Sequence, residues 1–293
     1  MKKIIFIIAA CLSLSLQAAE EGLTLPNDAM TKLNGEALII SQQRGMQVYM
    51  NNCMGCHALA FQRYNRTAED LKIPEEVMLK NLIFSDGKIG DQMTNNMPVA
   101  KAKNWFGAAP PDLSVITRSR KPQWVYNYMR GFYADEERPY GVNNSVFADV
   151  GMPHVLEEMQ GLQGKTDKVK SLENEIKYAK EDKAIANKQL KENPENSAEL
   201  NKKIHDADKI IHNAEAQLTE LAANGEYFTL IKEGQLSPEE FDKAMMDLVN
   251  FLDYIGEPIK LERQRLGLWV LLFIALFGIV AYMMKKEFWK DVH

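Results

Sequence analysis

Two thiols and an imidazole lie within five residues of one another at Cys53-Met54-Gly55-Cys56-His57. C-x-x-C-H is the attachment pattern of a c-type haem: each thiol adds to a porphyrin vinyl group, and the adjoining imidazole is then held against the iron. Two other chemistries of a Cys pair fit less well. A thiol-disulfide motif would follow a strand in a βαβ unit, whereas the residues upstream read as helix. A zinc site would need a second Cys pair, and the only other thiol is Cys11.

Several elements must hold this motif in place. Residues 35–50 read as an amphipathic helix running into it, with Leu38, Gln42, Gly45 and Tyr49 on one line. Gly45 in mid-helix costs roughly 1 kcal/mol against Ala, a cost with no return unless something uses the missing side chain. Residues 58–112 form a long wrapping region, with a short helix at 74–83 and turns at Asp86-Gly87 and Met97-Pro98. A further helix is predicted over 123–132. Ser237-Pro238-Glu239-Glu240 then combines a capping Ser, Pro at the first helical position and acids in the first turn. Phe241, Met245, Leu248, Leu252 and Ile255 continue that helix as an apolar stripe, and Gly256 with Pro258 ends it. Leu248 and Phe251 are expected to cross Gly45.

Longer motifs carry a resemblance. Arg44-Gly45-x-Gln47-Val48-Tyr49-Met50-Asn51-x-Cys53-x-Gly55-Cys56-His57, Arg63-Tyr64-Asn65 and Gly107-Ala108-x-Pro110-Pro111-Asp112-Leu113-Ser114 resemble the cytochrome c1 family, the haem subunits of cytochrome bc1 complexes. The likeness covers most of residues 36–160 and resumes near the C-terminus. It implies a class I cytochrome c fold in which Gly45 and Tyr49 belong to the first helix. It also implies that Arg120 and the aromatic Trp124 lie near the haem propionates, although Trp124 stands where the family usually has Tyr. Pro110 and Pro111 cannot donate backbone hydrogen bonds and fix the chain locally, so a carbonyl here is free to accept from the Nδ1 proton of His57. Such a bond would orient the ring and raise its basicity.

The sixth iron ligand must be sought among 15 Met residues. Met129 and Met245 fall inside helical patterns and read as core. Met93, Met97 and Met152 lie in loop-like surroundings, and Gly151-Met152-Pro153 has the flanks that hold an extended loop while freeing its side chain. The resemblance places the axial Met in this loop too, so Met152 is the expected ligand, with Met97 next and His154 a lesser candidate.

Residues 1–18 have a basic start at Lys2 and Lys3, an apolar run from Ile4 to Leu16 and a small-residue exit at Ala18 and Ala19, the form of a secretory signal peptide. Ile8-Ala9-Ala10-Cys11 also resembles a lipoprotein box; both imply export. The 293-residue chain carries 35 basic and 40 acidic residues, and loss of Lys2 and Lys3 leaves 33 against 40, a charge of −7. That balance disfavours nucleic acid and suits a basic soluble partner, with Asp135-Glu136-Glu137 expected exposed in a loop. Leu266 to Met284 are 19 uncharged, mostly apolar residues, long enough to span a bilayer, with Lys285, Lys286 and Lys290 beyond. The positive-inside rule puts those lysines in the cytoplasm, although Arg263 and Arg265 weaken the contrast.

Residues 164–223 have a different character. Val169, Leu172, Ile176, Ala179, Lys183, Ala186 and Leu190 follow a 3-4 spacing, and Leu200, Ile204, Ala207, Ile211, Ala214, Leu218 and Leu221 repeat it after Asn193-Pro194. Folded back on itself, this stretch sets Leu172 on Leu218, Ile176 on Ala214 and Ala179 on Ile211. Asn196 with Glu199 forms a capping-box-like start for the second helix. Members of the resembled family generally lack so large a hairpin here.

The expectation is an all-α class I cytochrome c domain with an antiparallel helical-hairpin insertion and one C-terminal transmembrane helix. Its divisions are 1–18 signal peptide, 19–163 and 224–262 haem domain, 164–223 hairpin, and 263–293 anchor and tail. One haem c is held by Cys53, Cys56, His57 and Met152, with Pro110, Pro111, Arg120 and Trp124 around it. The resemblance implies electron transfer from a Rieske iron-sulfur protein to a soluble cytochrome c, beside cytochrome b. It further implies a bacterial inner membrane with the haem domain in the periplasm. A free-standing anchored carrier, an oxidase subunit and a haem-based sensor are the alternatives.

Overall fold

A computed structural model describes residues 33, 35–84, 86–192 and 197–290. The expected signal peptide lies outside the described residues. The chain divides into two compact units, one made of Leu33–Asn96, Pro111–Pro122 and the chain from Asp247 onward, the other of Met97–Pro110 and Gln123–Met246.

The first unit holds the thiol pair. Helix α1 (Gly35–Asn52) leads into the Cys53 turn, strand β1 (Leu59–Arg63) and helices α2 (Tyr64–Asp70) and α3 (Glu75–Asn81) follow, and β2 (Gln92–Met93) returns antiparallel to β1. The second unit contains α4 (Val99–Phe106), while α5 (Ile116–Arg120) belongs to the first. Helix α6 (Pro122–Arg130), the hairpin of β3 (Phe132–Ala134) with β4 (Val142–Asn144), and α7 (Glu157–Gln160) come next. Strand β5 (Gly161–Lys165) is followed by α8 (Asp167–Glu192), α9 (Ser197–Ala223), β6 (Phe228–Glu233), α10 (Pro238–Gly256) and α11 (Lys260–Phe288). The fold is mainly helical as expected, with three two-stranded ladders that hydrophobic periodicity does not reveal.

Within the first unit, α1 meets the C-terminal half of α10 at Gly45. A Cβ at residue 45 would collide with the Asp247 carbonyl and come within 2.8 Å of Phe251 Cβ, so only glycine allows this crossing. Polar groups fasten it. Arg44 donates to Asp247 from Nε at 2.5 Å and from Nη2 at 3.0 Å, Ser41 Oγ donates to the same carboxylate at 2.5 Å, and Asn250 Nδ2 donates to Ser41 Oγ at 2.9 Å. Tyr49, Met46, Leu59, Leu71, Met78, Met93, Leu248, Phe251 and Leu252 are fully buried around it. At the far end, Gly256 lies against Thr117 and Ser114, and Thr117 Oγ1 donates to the Leu252 carbonyl at 3.3 Å.

Helix α10 starts with a reciprocal cap: Ser237 N–H donates to Glu240 Oε2 at 3.0 Å, and Glu240 N–H to Ser237 Oγ at 3.3 Å. Pro258 interrupts the chain after Gly256, and α11 then runs 29 residues with none of its apolar surface buried. Its apolar stretch of 19 residues spans about 28 Å at ~1.5 Å per residue, matching a bilayer core.

In the second unit, α8 and α9 form the antiparallel hairpin. Every expected seam position is buried or half-buried, and Val169, Leu172, Ala214, Leu218 and Leu221 make one apolar cluster near its root. Lys183, the charged member of the seam, pairs with Asp208 at 2.6 Å. The turn at Asn193-Pro194 and the Asn196 cap lie outside the described residues. The sequence leaves the root unmarked. Strand β5 pairs antiparallel with β6 from Gly161↔Glu233 to Lys165↔Phe228, and Thr166 N–H donates to the Tyr227 carbonyl at 3.2 Å. Tyr227 belongs to the apolar cluster, and Lys165 Nζ lies 2.7 Å from Glu173 and 4.3 Å above the Tyr133 ring.

Two outcomes are expected. Gly45→Ala should force α1 and α10 apart and destabilise the protein by about 3 kcal/mol or more, a typical upper cost of overpacking, read as a drop in Tm. An unchanged Tm would refute the crossing. Replacing residues 167–226 with a two-residue Asn-Gly turn should join β5 to β6 as a simple hairpin. Covalent haem should survive with a lower Tm, because Tyr227 and Phe228 lose their cover; loss of haem attachment would mean that the α8–α9 arm supports the haem site.

Candidate functional site

The thiol motif sits on the turn that closes α1. Cys53 N–H donates to the Tyr49 carbonyl at 2.8 Å, and the N–H groups of Cys56 and His57 both donate to the Cys53 carbonyl, at 3.0 and 2.8 Å. Three successive bonds of this kind wind Cys53, Cys56 and His57 round one turn. Tyr49 holds it from beneath: its hydroxyl donates to the His57 carbonyl at 2.6 Å and lies 3.2 Å from Met54 Sδ. Asn95 Nδ2 donates to the Met54 carbonyl at 3.1 Å.

A second segment runs beside the first. Leu113 N–H donates to the Ala58 carbonyl at 2.9 Å, and Phe61 N–H to Ser114 Oγ at 3.1 Å. Asp112 bridges both, accepting from Ala60 N–H and Ser114 N–H at 2.8 Å each. This pairing brings the Pro111 carbonyl to 2.8 Å from His57 Nδ1. A carbonyl can only accept, so Nδ1 carries the proton and Nε2 keeps its lone pair for a metal. Burial lowers the His57 pKa, opposed by the Pro111 carbonyl and the Asp112 carboxylate, so the ring is neutral and ready to ligate at neutral pH.

Both thiols are free. Burial, reinforced by the neighbouring Cys56, pushes the Cys53 thiol up to about 12, and burial also raises Cys56. They are therefore neutral thiols rather than spontaneous nucleophiles. Two free thiols and an imidazole with one committed and one uncommitted nitrogen, all on one turn, are the donor set that haem c requires. Residues and cofactor fit.

The other expected site residues fall as follows. Arg120 ends α5 and is half-buried. Pro110 is half-buried and Pro111 exposed. Trp124 lies on α6, half-buried, stacked on Tyr128 with ring centroids 5.1 Å apart. Met93 is fully buried in β2, 3.7 Å from Thr67 Oγ1, and so belongs to the core; Met97 is half-buried ahead of α4.

Met152 lies in a loop of the second unit built by neighbouring side chains. Arg138 donates to the Asp149 carbonyl at 2.7 Å and pairs with the Asp149 carboxylate at 3.0 Å. Asn143 Oδ1 accepts from Asp149 N–H at 2.9 Å, and Asn144 Oδ1 accepts from the N–H groups of Val146 and Phe147. At Gly151 a Cβ would come within 2.6 Å of the Phe106 carbonyl. Tyr128 Oη donates to Met152 Sδ at 3.4 Å. His154, two residues on, is buried and stacks on Phe132 at 4.8 Å. Asp135 differs from expectation: Asn143 Nδ2 donates to it at 2.8 Å and half buries it in the β3–β4 turn, leaving Glu136 and Glu137 as the exposed acids. Sequence reasoning also missed Arg138, Asn143 and Asn144, and named Asp112 only within a longer motif, without a role of its own.

The profile of the Cytochrome C1 family matches residues 32–171 and 229–292, and the intervening stretch is most of α8, all of α9 and the start of β6. Cytochrome c1 of Allochromatium vinosum is 41% identical over 253 residues, covering 86% of this chain and 85% of that protein. A protein named ammonia monooxygenase gamma subunit, from Nitrosomonas europaea, is 33% identical over 255 residues, covering 86% and 84%. Cytochrome c1 of Rhodobacter capsulatus is 21% identical over 324 residues, covering 99% and 97%. With its paired thiols, its neutral His57 and its long apolar C-terminal helix, the chain belongs to the cytochrome c1 family, the membrane-anchored subunits of bc1 complexes that carry one covalently bound haem c.

Proposed function

We propose that this subunit takes single electrons from the Rieske iron-sulfur protein and passes them to a soluble cytochrome c, beside cytochrome b. Its haem domain faces the periplasm from the bacterial inner membrane, and its C-terminus is cytoplasmic. Cys53 and Cys56 would hold haem c through thioethers, His57 and Met152 would supply its iron with a nitrogen and a sulphur donor, and Pro110, Pro111, Arg120 and Trp124 would lie around it. The observation that carries this reading is the 2.8 Å contact between His57 Nδ1 and the Pro111 carbonyl, beside two free thiols.

When bound, haem c supplies a one-electron iron couple. The protein's task is to hold and tune it. Cys53 and Cys56 anchor the ring edge, and His57 presents Nε2 in an orientation fixed by Pro111, which also strengthens it as a donor. The thioether of Met152 favours reduced iron. Exposed Glu136 and Glu137 suit a basic acceptor, which such charges steer at moderate salt. Lys285, Lys286 and Lys290, beyond the apolar run, support the cytoplasmic C-terminus. The hairpin is an insertion, with the chain dividing near residues 163 and 224.

A variant series separates these roles. Cys53→Ala or Cys56→Ala should each leave one thioether, and the double variant none; denatured double-variant protein that still carried haem would refute attachment. Met152→Leu should keep covalent haem, lose the long-wavelength thioether-to-iron absorption of the oxidised form and lower the potential. Retention of that band would exclude Met152, and its loss in Met97→Leu would implicate Met97. Purified in mild detergent, the full chain should bring b-type haem and an iron-sulfur cluster with it. Recovery of the chain alone, with neither, would favour a free-standing carrier.

A further inference from the structure

The loop that carries Met152 follows β4, and residues 145–156 contain neither helix nor strand. Its backbone must therefore find partners among side chains. The N–H groups of Val146, Phe147 and Asp149 are taken by the side-chain oxygens of Asn144 and Asn143, both on β4 itself. Its carbonyls need a donor from elsewhere. Arg138, in the turn between β3 and β4, is such a donor: Nη2 donates to the Asp149 carbonyl at 2.7 Å and reaches the Val150 carbonyl at 3.4 Å, while Nη1 lies 3.0 Å from the Asp149 carboxylate. We propose that Arg138 is the positioning residue of the axial thioether: by holding the Asp149 and Val150 carbonyls it keeps the loop in the arrangement that presents Met152, and so sets how readily another ligand takes the place of the sulphur.

The guanidinium acts where the loop is least relaxed. Asp149 has φ +59°, a left-handed backbone that a residue other than glycine adopts at a cost. Freed from its partner, this residue would turn toward the commoner regions and swing the chain that follows. Val150 is buried, and Gly151 is pressed so closely on the Phe106 carbonyl that a Cβ would come within 2.6 Å of it. The two residues between Asp149 and Met152 thus have no room to absorb such a turn. Arg138 is fixed at its own end: its N–H donates to the Asp135 carbonyl at 3.1 Å, and its carbonyl accepts from Gly141 N–H at 2.9 Å. The contact is more than a surface ion pair. The Asp149 side chain is 80% exposed against 24% for Arg138, so the carboxylate half of the contact is wet and contributes little. What remains is one planar amine on two successive carbonyls, a geometry that a lysine ammonium does not reproduce.

This inference rests on Met152 as the axial ligand, and the test separates the two. The probe is imidazole added to the oxidised, haem-loaded full chain; it binds only where the thioether has left, so its apparent affinity rises with the fraction of chains in that state. Arg138→Gln should keep covalent haem and bind imidazole about tenfold more tightly, the scale of one charge-assisted hydrogen bond. Arg138→Lys, which keeps the charge and loses the fork, should fall between, and it is read in the same way where Arg138→Gln yields no haem-loaded protein. Asp149→Asn removes the carboxylate and tolerates the left-handed backbone, so it should change the affinity by less than about twofold. In a Met152→Leu background Arg138→Gln should have no effect, because no thioether is left to displace. Loss of the long-wavelength band in Arg138→Gln, regained in Arg138→Lys, would be the same effect carried further. An unchanged imidazole affinity in both Arg138 variants, whatever their Tm, would overturn the inference while Met152→Leu still lost the band. An equal gain in Asp149→Asn would overturn it too, showing that the ion pair and not the carbonyl contact holds the loop. An equal gain in the Met152→Leu background would overturn it by placing the effect on access to the iron. Retention of the band in Met152→Leu would sink the ligand assignment itself.

Discussion

The backbone approach at Gly45 is the constraint on which the haem-motif unit depends. Where two helices touch main chain to main chain, no side chain cushions the contact, and the polar groups there are shut away from water. Asp247 is only 5% exposed. A carboxylate so placed would cost several kcal/mol if unpaired, and three donors compensate it, two from Arg44 and one from Ser41. The glycine and the ion pair are therefore one device: the first permits the approach, and the second makes it tolerable. Because α1 ends in the Cys53 turn and α10 leads through Pro258 into α11, the crossing joins the turn of the thiol motif to the helix that precedes the apolar C-terminal helix. Lys260 on Asp253 at 2.6 Å, and Arg263 on Glu257, stiffen that last joint.

From this anchor, the ligand geometry follows in short steps. Tyr49, one turn beyond Gly45, packs against Phe251 with tilted rings 5.8 Å apart and uses its hydroxyl on the His57 carbonyl. That fixes the backbone of the ligand. Its ring is fixed from the opposite direction, by the segment 111–114 lying alongside 57–61. Asp112 is the centre of this pairing, since its two oxygens each take one backbone N–H from a different segment. The imidazole is thus held at its main chain by the first helix and at its edge by a proline carbonyl. Both holds are made by the protein's own backbone and side-chain groups.

The sequence made the helices and the chemistry legible to different degrees. The C-x-x-C-H pattern, the heptads of α8 and α9, the Ser237 cap and the apolar run of α11 are long or chemically singular, and each maps onto a described element. Gly45 was legible through the family resemblance, which supplied a close helix crossing as the reason for a glycine in mid-helix. The ladders were not. Strands such as Gln92–Met93 and Val142–Asn144 have two or three residues, too few for a period of two to register, and they are selected by tertiary hydrogen bonds such as those of Asn143 and Asn144. Asp112 was named without a role and Arg138 was missed because each acts on backbone of another segment, which residue type alone does not announce.

The helical arm falls largely outside the residues that the family profile matches. It enters and leaves through neighbouring strands: Lys165 and Phe228 are register partners, so 62 residues of chain separate two points one ladder step apart. The closure entropy of so long an excursion would be a burden for a floppy loop, growing with the logarithm of its length. Here the heptad seam, the Lys183–Asp208 pair and the root cluster around Tyr227 offset it within the arm. The root is not neutral, however. Lys165 reaches Glu173 on α8 while lying over Tyr133 on β3, and Phe228 packs 5.9 Å from the same Tyr133 ring. Through Tyr133 the arm is coupled to the β3–β4 hairpin whose following residues build the Met152 loop.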